Sequence, residues 1–149
     1  MSRSGYTDDY SGTEWDWIMW RGAVESALRG KRGQLLLMEM LTALDALPIK
    51  RLVADELVET EWQSISHWGH FALESVCAIG AVGRKRGVDM RKLDPEDYST
   101  VAGTFDVAEA MAREIVWIND EGGNYRETPE ERFVRVRKWV TRQIGVIGQ

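Results

Sequence analysis

Cysteine is almost missing from this chain: Cys77 is the only one in 149 residues. That excludes an intramolecular disulfide and a cysteine-rich metal cage, and it suits a reducing cytoplasm. Histidine is nearly as scarce, with 2 residues, His67 and His70, so metal or acid–base chemistry built on imidazole is confined to one short stretch. Long hydrophobic runs are absent as well. The longest purely aliphatic one is Leu35 to Met38, far below the roughly 20 residues of a membrane-spanning helix. The start, Met1-Ser-Arg-Ser-Gly-Tyr, carries no apolar signal region. Excess positive charge is lacking too, since the net charge of −5 is unlike the strongly basic balance of domains that wrap nucleic acid.

Catalytic signatures are also wanting. Gly80-Ala81-Val82-Gly83-Arg84-Lys85 lacks the G-x-x-x-x-G-K-[ST] order of a phosphate loop. The acidic pairs Asp8-Asp9, Asp55-Glu56, Asp120-Glu121 and Glu130-Glu131 are scattered among loops and caps, which gives no support to a paired-carboxylate hydrolase. Wound as a helix, His67, His70, Glu74 and Cys77 fall within an arc of ~80°. His-x-x-His nevertheless lacks the i, i+4 spacing by which two imidazoles chelate from one helix. A solvated polar face and a structural Cys77 account for the group, so we expect neither enzyme activity, nor a cofactor, nor a bound metal.

What is present is helical periodicity. Residues 1–12 are polar and glycine-containing and read as a flexible amino-terminal arm, followed by a single helical domain over 13–149. Thr13 reads as an N-cap, with Trp17, Trp20, Val24, Ala27 and Leu28 at helical spacing and Gly30 closing the helix. Gln34 to Leu47 is apolar nearly all round and stops at Pro48, which marks the central helix. Ile49 to Thr60 suits a helix or a small β-hairpin, and helix is the preferred reading. Glu61 to Gly83 reads as helix through Trp62, Ile65, Trp68, Phe71, Val76 and Ile79. A short helix is expected from Pro95 to about Ala102, and one over Val107–Asn119 opened by a capping box of Asp106 and Glu109. The last helix is announced by Thr128, Pro129 and Glu131 as N-cap, N1 and N3. The fold class is therefore an all-α, single-domain bundle of about five to seven helices around a central apolar helix, with the hairpin near 50–60 as its one β alternative.

Two near-identical basic glycine turns stand out, Arg29-Gly30-Lys31-Arg32-Gly33 and Gly83-Arg84-Lys85-Arg86-Gly87. Both read as helix C-termini, where cations complement the dipole and cap free carbonyls. On the last helix Arg135, Lys138 and Arg142 lie within ~60° of one another; joined to the turns they would form a contact surface for an acidic protein face or for phosphates. Glu131 is placed to pair with Arg135 at i, i+4. Tryptophan is abundant at 7 residues, and its preference for interface centres makes Trp62 and Trp68 candidate anchors.

The ordered blocks Ser2-Arg3-Ser4-Gly5-Tyr6, Trp20 to Val24 continuing through Arg29 to Gln34, Cys77 to Val82 and Glu127 to Arg132 carry a resemblance over most of the chain. It resembles a family of small uncharacterised phage and prophage proteins, and the stretch Trp62 to Leu73 looks like an addition to the family pattern. The resemblance implies expression in the cytoplasm of a bacterial host cell. By analogy with small phage accessory proteins it implies binding to a host protein complex, inhibiting or modulating it, in the manner of an anti-CRISPR-like antagonist of host defence. A nucleic-acid-binding accessory protein that uses the basic turns and the last helix is the alternative.

Overall fold

A computed structural model describes residues 14–65 and 69–145, the stretch 60–74 through its backbone alone. Six α-helices and one β-hairpin are found among the described residues. They are α1 (Glu14–Arg29), α2 (Lys31–Ala46), β1 (Val58–Ile65), β2 (Gly69–Val76), α3 (Ala78–Arg86), α4 (Tyr98–Phe105), α5 (Glu109–Glu121) and α6 (Pro129–Gln143). A short 3-10 turn, Met90–Lys92, precedes α4. The all-α expectation with a small hairpin therefore holds. The expected amino-terminal arm lies outside the described residues.

The core forms around α2. Leu37, Met40 and Leu44 are completely buried along its length, and α1, α3 and α6 all pack on it. At about 100° per residue these three side chains share one face, with Leu36 and Ala43 beside them. α5 closes the far side through Met111, Ile115 and Val116, and α6 adds Phe133, Val136 and Val140 at helical spacing.

Gly30 closes α1 as expected, its amide donating to the Ser26 carbonyl at 3.0 Å, but with extended backbone at φ −67° and ψ 162° rather than as a left-handed C′ residue, and it also caps α2. A one-residue link forces the two helices close together, and Gly33 permits this: a Cβ there would collide with the carbonyl oxygen of Ala27. Gln34 bridges the resulting corner. Its amide nitrogen donates to the carbonyl oxygens of Leu28 and Gln143, at 2.7 and 2.9 Å.

The helices expected over Ile49–Thr60 and Glu61–Gly83 are not formed. Residues 49–57 run as an irregular segment that buries Leu52, Val53 and Leu57. β1 and β2 then pair antiparallel in the register Val58↔Val76, Trp62↔Ala72 and Ile65↔Gly69. The hairpin thus lies later than 50–60. β-branched Val58, Thr60, Ile65 and Val76 with Trp62 and Phe71 favour a pleated surface, and cross-strand pairing outweighs the partial helical spacing of the same residues. Among the described residues of that stretch, helix begins only at Ala78, and it runs on to Arg86. There Gly80 and Gly83 admit the Leu57 carbonyl and the Met90 sulfur, which a Cβ would displace.

Two further starts differ from expectation. α4 begins at Tyr98, capped by Asp97, rather than at Pro95. α5 begins at Glu109 with Ala108 as an N-cap that supplies no side-chain bond, because Asp106 instead terminates α4 in a left-handed conformation, φ 55°. The start of α6 is as expected, Thr128 Oγ1 accepting from the Glu131 amide at 3.1 Å. Asn119, 1% exposed, ties three segments together. It accepts from the Ala78 amide at 3.0 Å and donates to the Val53 carbonyl at 2.8 Å.

Leu44→Ala should cost about 2–5 kcal/mol, since the site is fully enclosed. Asn119→Leu should cost on the order of 1–3 kcal/mol for each backbone group that it strands. Urea titrations followed by circular dichroism measure both, and an unmoved midpoint for either variant would remove that residue from the core.

Candidate functional site

α2 is covered on three sides and bare on the fourth. Lys31, Leu35, Met38 and Thr42, spaced i, i+4, i+7 and i+11, form its solvent-facing stripe. Leu35 is 53% and Met38 45% exposed. The near-uniform apolarity of this helix is therefore not total burial, and Gln34, one of its few polar residues, is buried.

Charged side chains from neighbouring elements flank the stripe on both sides. On the α3 side Glu39 takes a two-pronged contact from Arg86, Nε to Oε1 at 2.9 Å and Nη2 to Oε2 at 2.7 Å, with Lys85 Nζ at 3.9 Å. Arg86 also lies over the Phe105 ring, 5.5 Å from its centre. On the α6 side Arg137 makes a second two-pronged contact with Asp45, at 2.6 and 3.0 Å. Such fork-to-carboxylate pairs fix the guanidinium plane as well as its position. The hydrogen bond from Arg86 holds the Glu39 carboxyl below its ordinary range, and the one from Arg137 does the same for Asp45.

Asp106 connects the two basic turns. It accepts from Arg32 at 3.1 Å, and its charge is among those that hold Arg86 more firmly protonated, after the Glu39 hydrogen bond. The turns differ in kind, however. Arg84, Lys85 and Arg86 sit at the C-terminus of α3, capped by left-handed Gly87, where cations are favoured. Lys31 and Arg32 occupy the first turn of α2, where the dipole opposes them. Helix capping explains the second turn and, in the first, Arg29 at the end of α1, but not Lys31 and Arg32.

The remaining candidates separate clearly. Arg29 pairs with Glu25 at 3.1 Å. Lys31, Arg84, Lys138 and Arg142 are exposed and have no ion pair among the described residues. Arg135 is turned inward rather than toward Glu131: it donates to the Ile118 carbonyl at 2.6 Å and the Asn119 carbonyl at 3.2 Å and grips Glu127 through Nε at 2.6 Å. It clasps α6 to the end of α5 and does not belong to a surface stripe. Trp62 lies on β1 opposite Ala72, whereas Trp68 falls outside the described residues. Arg137, Leu35 and Met38 were not singled out by the sequence pattern, because partners remote in sequence are what orient them.

The group considered for metal does not share a helix. His67 lies outside the described residues, His70 and Glu74 are on β2, and Cys77 caps α3, its sulfur accepting from the Gly80 amide at 3.3 Å. No cluster of three or more metal-ligating side chains occurs among the described residues. No described helix is long and apolar enough to cross a membrane. No protein-family model, curated protein or solved structure matches this chain.

Glu39 supplies a pH test. Its folded-state value lies below the ordinary 4.5, so the ionised carboxylate stabilises the fold above about 4.5 and that contribution is lost as pH falls through the folded value. The stability advantage of wild type over Glu39→Gln should therefore shrink as pH is lowered from about 6 to below 4.5. Thermal melts of both proteins across that range check it, and a gap that widened in acid would contradict the pairing.

Proposed function

We propose that this protein acts without catalysis, as a phage-type accessory protein that binds a host protein complex and inhibits or modulates it. Antagonism of a host defence complex, anti-CRISPR-like in effect, is the form of that activity the family resemblance suggests. The observation that carries the reading is the solvent-facing pair Leu35 and Met38, set between guanidinium groups held in place by Glu39 and Asp45. An apolar centre with a polar rim is the arrangement of protein-docking surfaces, and adjacent exposed apolar side chains mark contact sites where scattered single ones do not. The complementary partner presents an apolar recess with a polar rim.

Nucleic acid is the less favoured partner. Arg32, Arg86 and Arg137 are already paired with carboxylates, each of which would have to be displaced or left to repel a phosphate. The unpaired Lys31, Arg84, Lys138 and Arg142 keep that reading in play.

Immobilised wild-type protein should retain a discrete host complex from bacterial lysate. The double variant Leu35→Glu/Met38→Glu should retain it at least ~10-fold less well, the scale of a hot-spot loss, with helical circular dichroism unchanged. Equal retention by the two proteins would sink the reading. Retention that nuclease treatment abolishes would favour the nucleic-acid alternative.

A further inference from the structure

The outer face of α1 carries a second unsatisfied surface, separate from the α2 stripe. Val24 and Leu28 point inward and are buried, and at about 100° per residue Trp15, Met19, Gly22 and Ser26 lie roughly opposite them, with Ile18 and Ala23 at the margins. Trp15 is 67%, Ile18 52% and Met19 60% exposed, while Gly22, Ala23 and Ser26 are exposed and small. The face is therefore divided: its amino-terminal half is large and protruding, its carboxy-terminal half small and recessed. The recess continues into an open groove of ≈ 520 Å³ walled by Ala23, Ser26, Ala27 and Gly30, with Lys31 at its rim.

A surface that is a projection at one end and a hollow at the other complements itself when a second copy is turned around. A two-fold axis level with the Trp20–Arg21 peptide sets position 15 against 26 and 19 against 22. Trp15 then enters the groove beside Ser26, and Met19 lies over Gly22 and Ala23. Nothing stands within 4 Å of where a Cβ on Gly22 would be, so the helices can approach closely at that point. Charge agrees with this orientation. Glu14, which has no ion pair among the described residues, starts the helix, and Arg29, held only by the exposed Glu25, ends it on the same flank. Antiparallel pairing brings each Glu14 toward the other copy's Arg29, whereas parallel pairing would place Trp15 on Trp15 and Glu14 on Glu14.

We propose that two copies of this chain pair antiparallel through the outward face of α1, each Trp15 seated in the other's groove. Contacts of this kind are isologous: the same face is used on both copies, and each contact occurs twice. One helix face a side falls short of the roughly 800 Å² per partner of a standard interface, so the dimer is reversible and depends on concentration.

Sedimentation equilibrium of the full chain over a wide concentration range tests this. The wild-type mass should rise from 17.0 kDa toward twice that value. Gly22→Arg, which blocks the close approach at an exposed site that favours helix over glycine, and Trp15→Ala, which removes the projection, should each weaken association at least ~10-fold without loss of helical circular dichroism. The α2 variant Leu35→Glu/Met38→Glu should dimerise as wild type does, so failure of this proposal and failure of the docking function are read separately. A wild-type mass of 17.0 kDa at every concentration would overturn the proposal. So would a dimer unaffected by both α1 variants, or one abolished by the α2 variant alone.

Discussion

Enclosure of Leu37, Met40 and Leu44 on one side of α2 is the constraint on which the rest of the structure depends. Once that face is committed to the interior, α1, α3 and α6 have to gather around it, and the opposite stripe, Lys31 to Thr42, has nowhere to go but solvent. The one-residue link at Gly30 then fixes the direction of α1. With α1 crossing so tightly beside Gly33, its Val24–Leu28 side turns to the core and its Trp15–Met19 side turns away. The two exposed apolar surfaces are thus consequences of a single packing decision made in the middle of the chain.

Polar side chains make that decision unique. Hydrophobic burial is non-directional and tolerates sliding, but Gln34 and Asn119 each bond to backbone groups in two other segments, and Arg135 on α6 bonds to two backbone carbonyls at the end of α5. A helix that shifted by one residue would strand those groups in low dielectric, a penalty that apolar packing does not impose. Arg135 illustrates how a charge that looks like part of a surface stripe becomes an internal fastener. The carbonyls at the end of α5 have no intrahelical donors, and a guanidinium supplies several from one side chain.

Legibility in the sequence follows the range of the interactions. Thr128, Pro129 and Glu131 satisfy each other within one turn, and α6 begins where they indicate. The central helix is equally plain, since the fourteen nearly uninterrupted helix-compatible residues Gln34 to Leu47 end at Pro48. Which of its sides faces water is not readable, because that depends on α3 and α6 arriving from 47 and 92 residues away. The hairpin is hidden for the same reason: residues 58–76 carry apolar spacing compatible with a helix, and only the pairing of one strand with the other decides against it. The two basic turns make the sharpest case. Nearly the same five residues end one helix at Arg84–Arg86 and begin another at Lys31–Arg32, so the local sequence cannot say which end of the dipole it meets. For the candidate site, the cations of the turns are legible, but the apolar stripe between Arg86 and Arg137 and the acids that hold these arginines are not.

Those acids bear on how an overall anionic protein can present cations at all. With a net charge of −5, free arginines on this surface would sit in a negative field and move over many rotamers. Glu39, Asp45 and Asp106 each hold one from a different element. Pinning lowers the net field of the patch while reducing the side-chain entropy that a partner must still remove, by about 0.5–1.5 kcal/mol for each side chain already ordered. A surface built this way attracts weakly from a distance and recognises closely: long-range steering scales with unpaired charge, whereas the fixed forks and the exposed Leu35 and Met38 act only on contact. On the docking function proposed above, association by such a face is governed by fit and residence time rather than by capture rate.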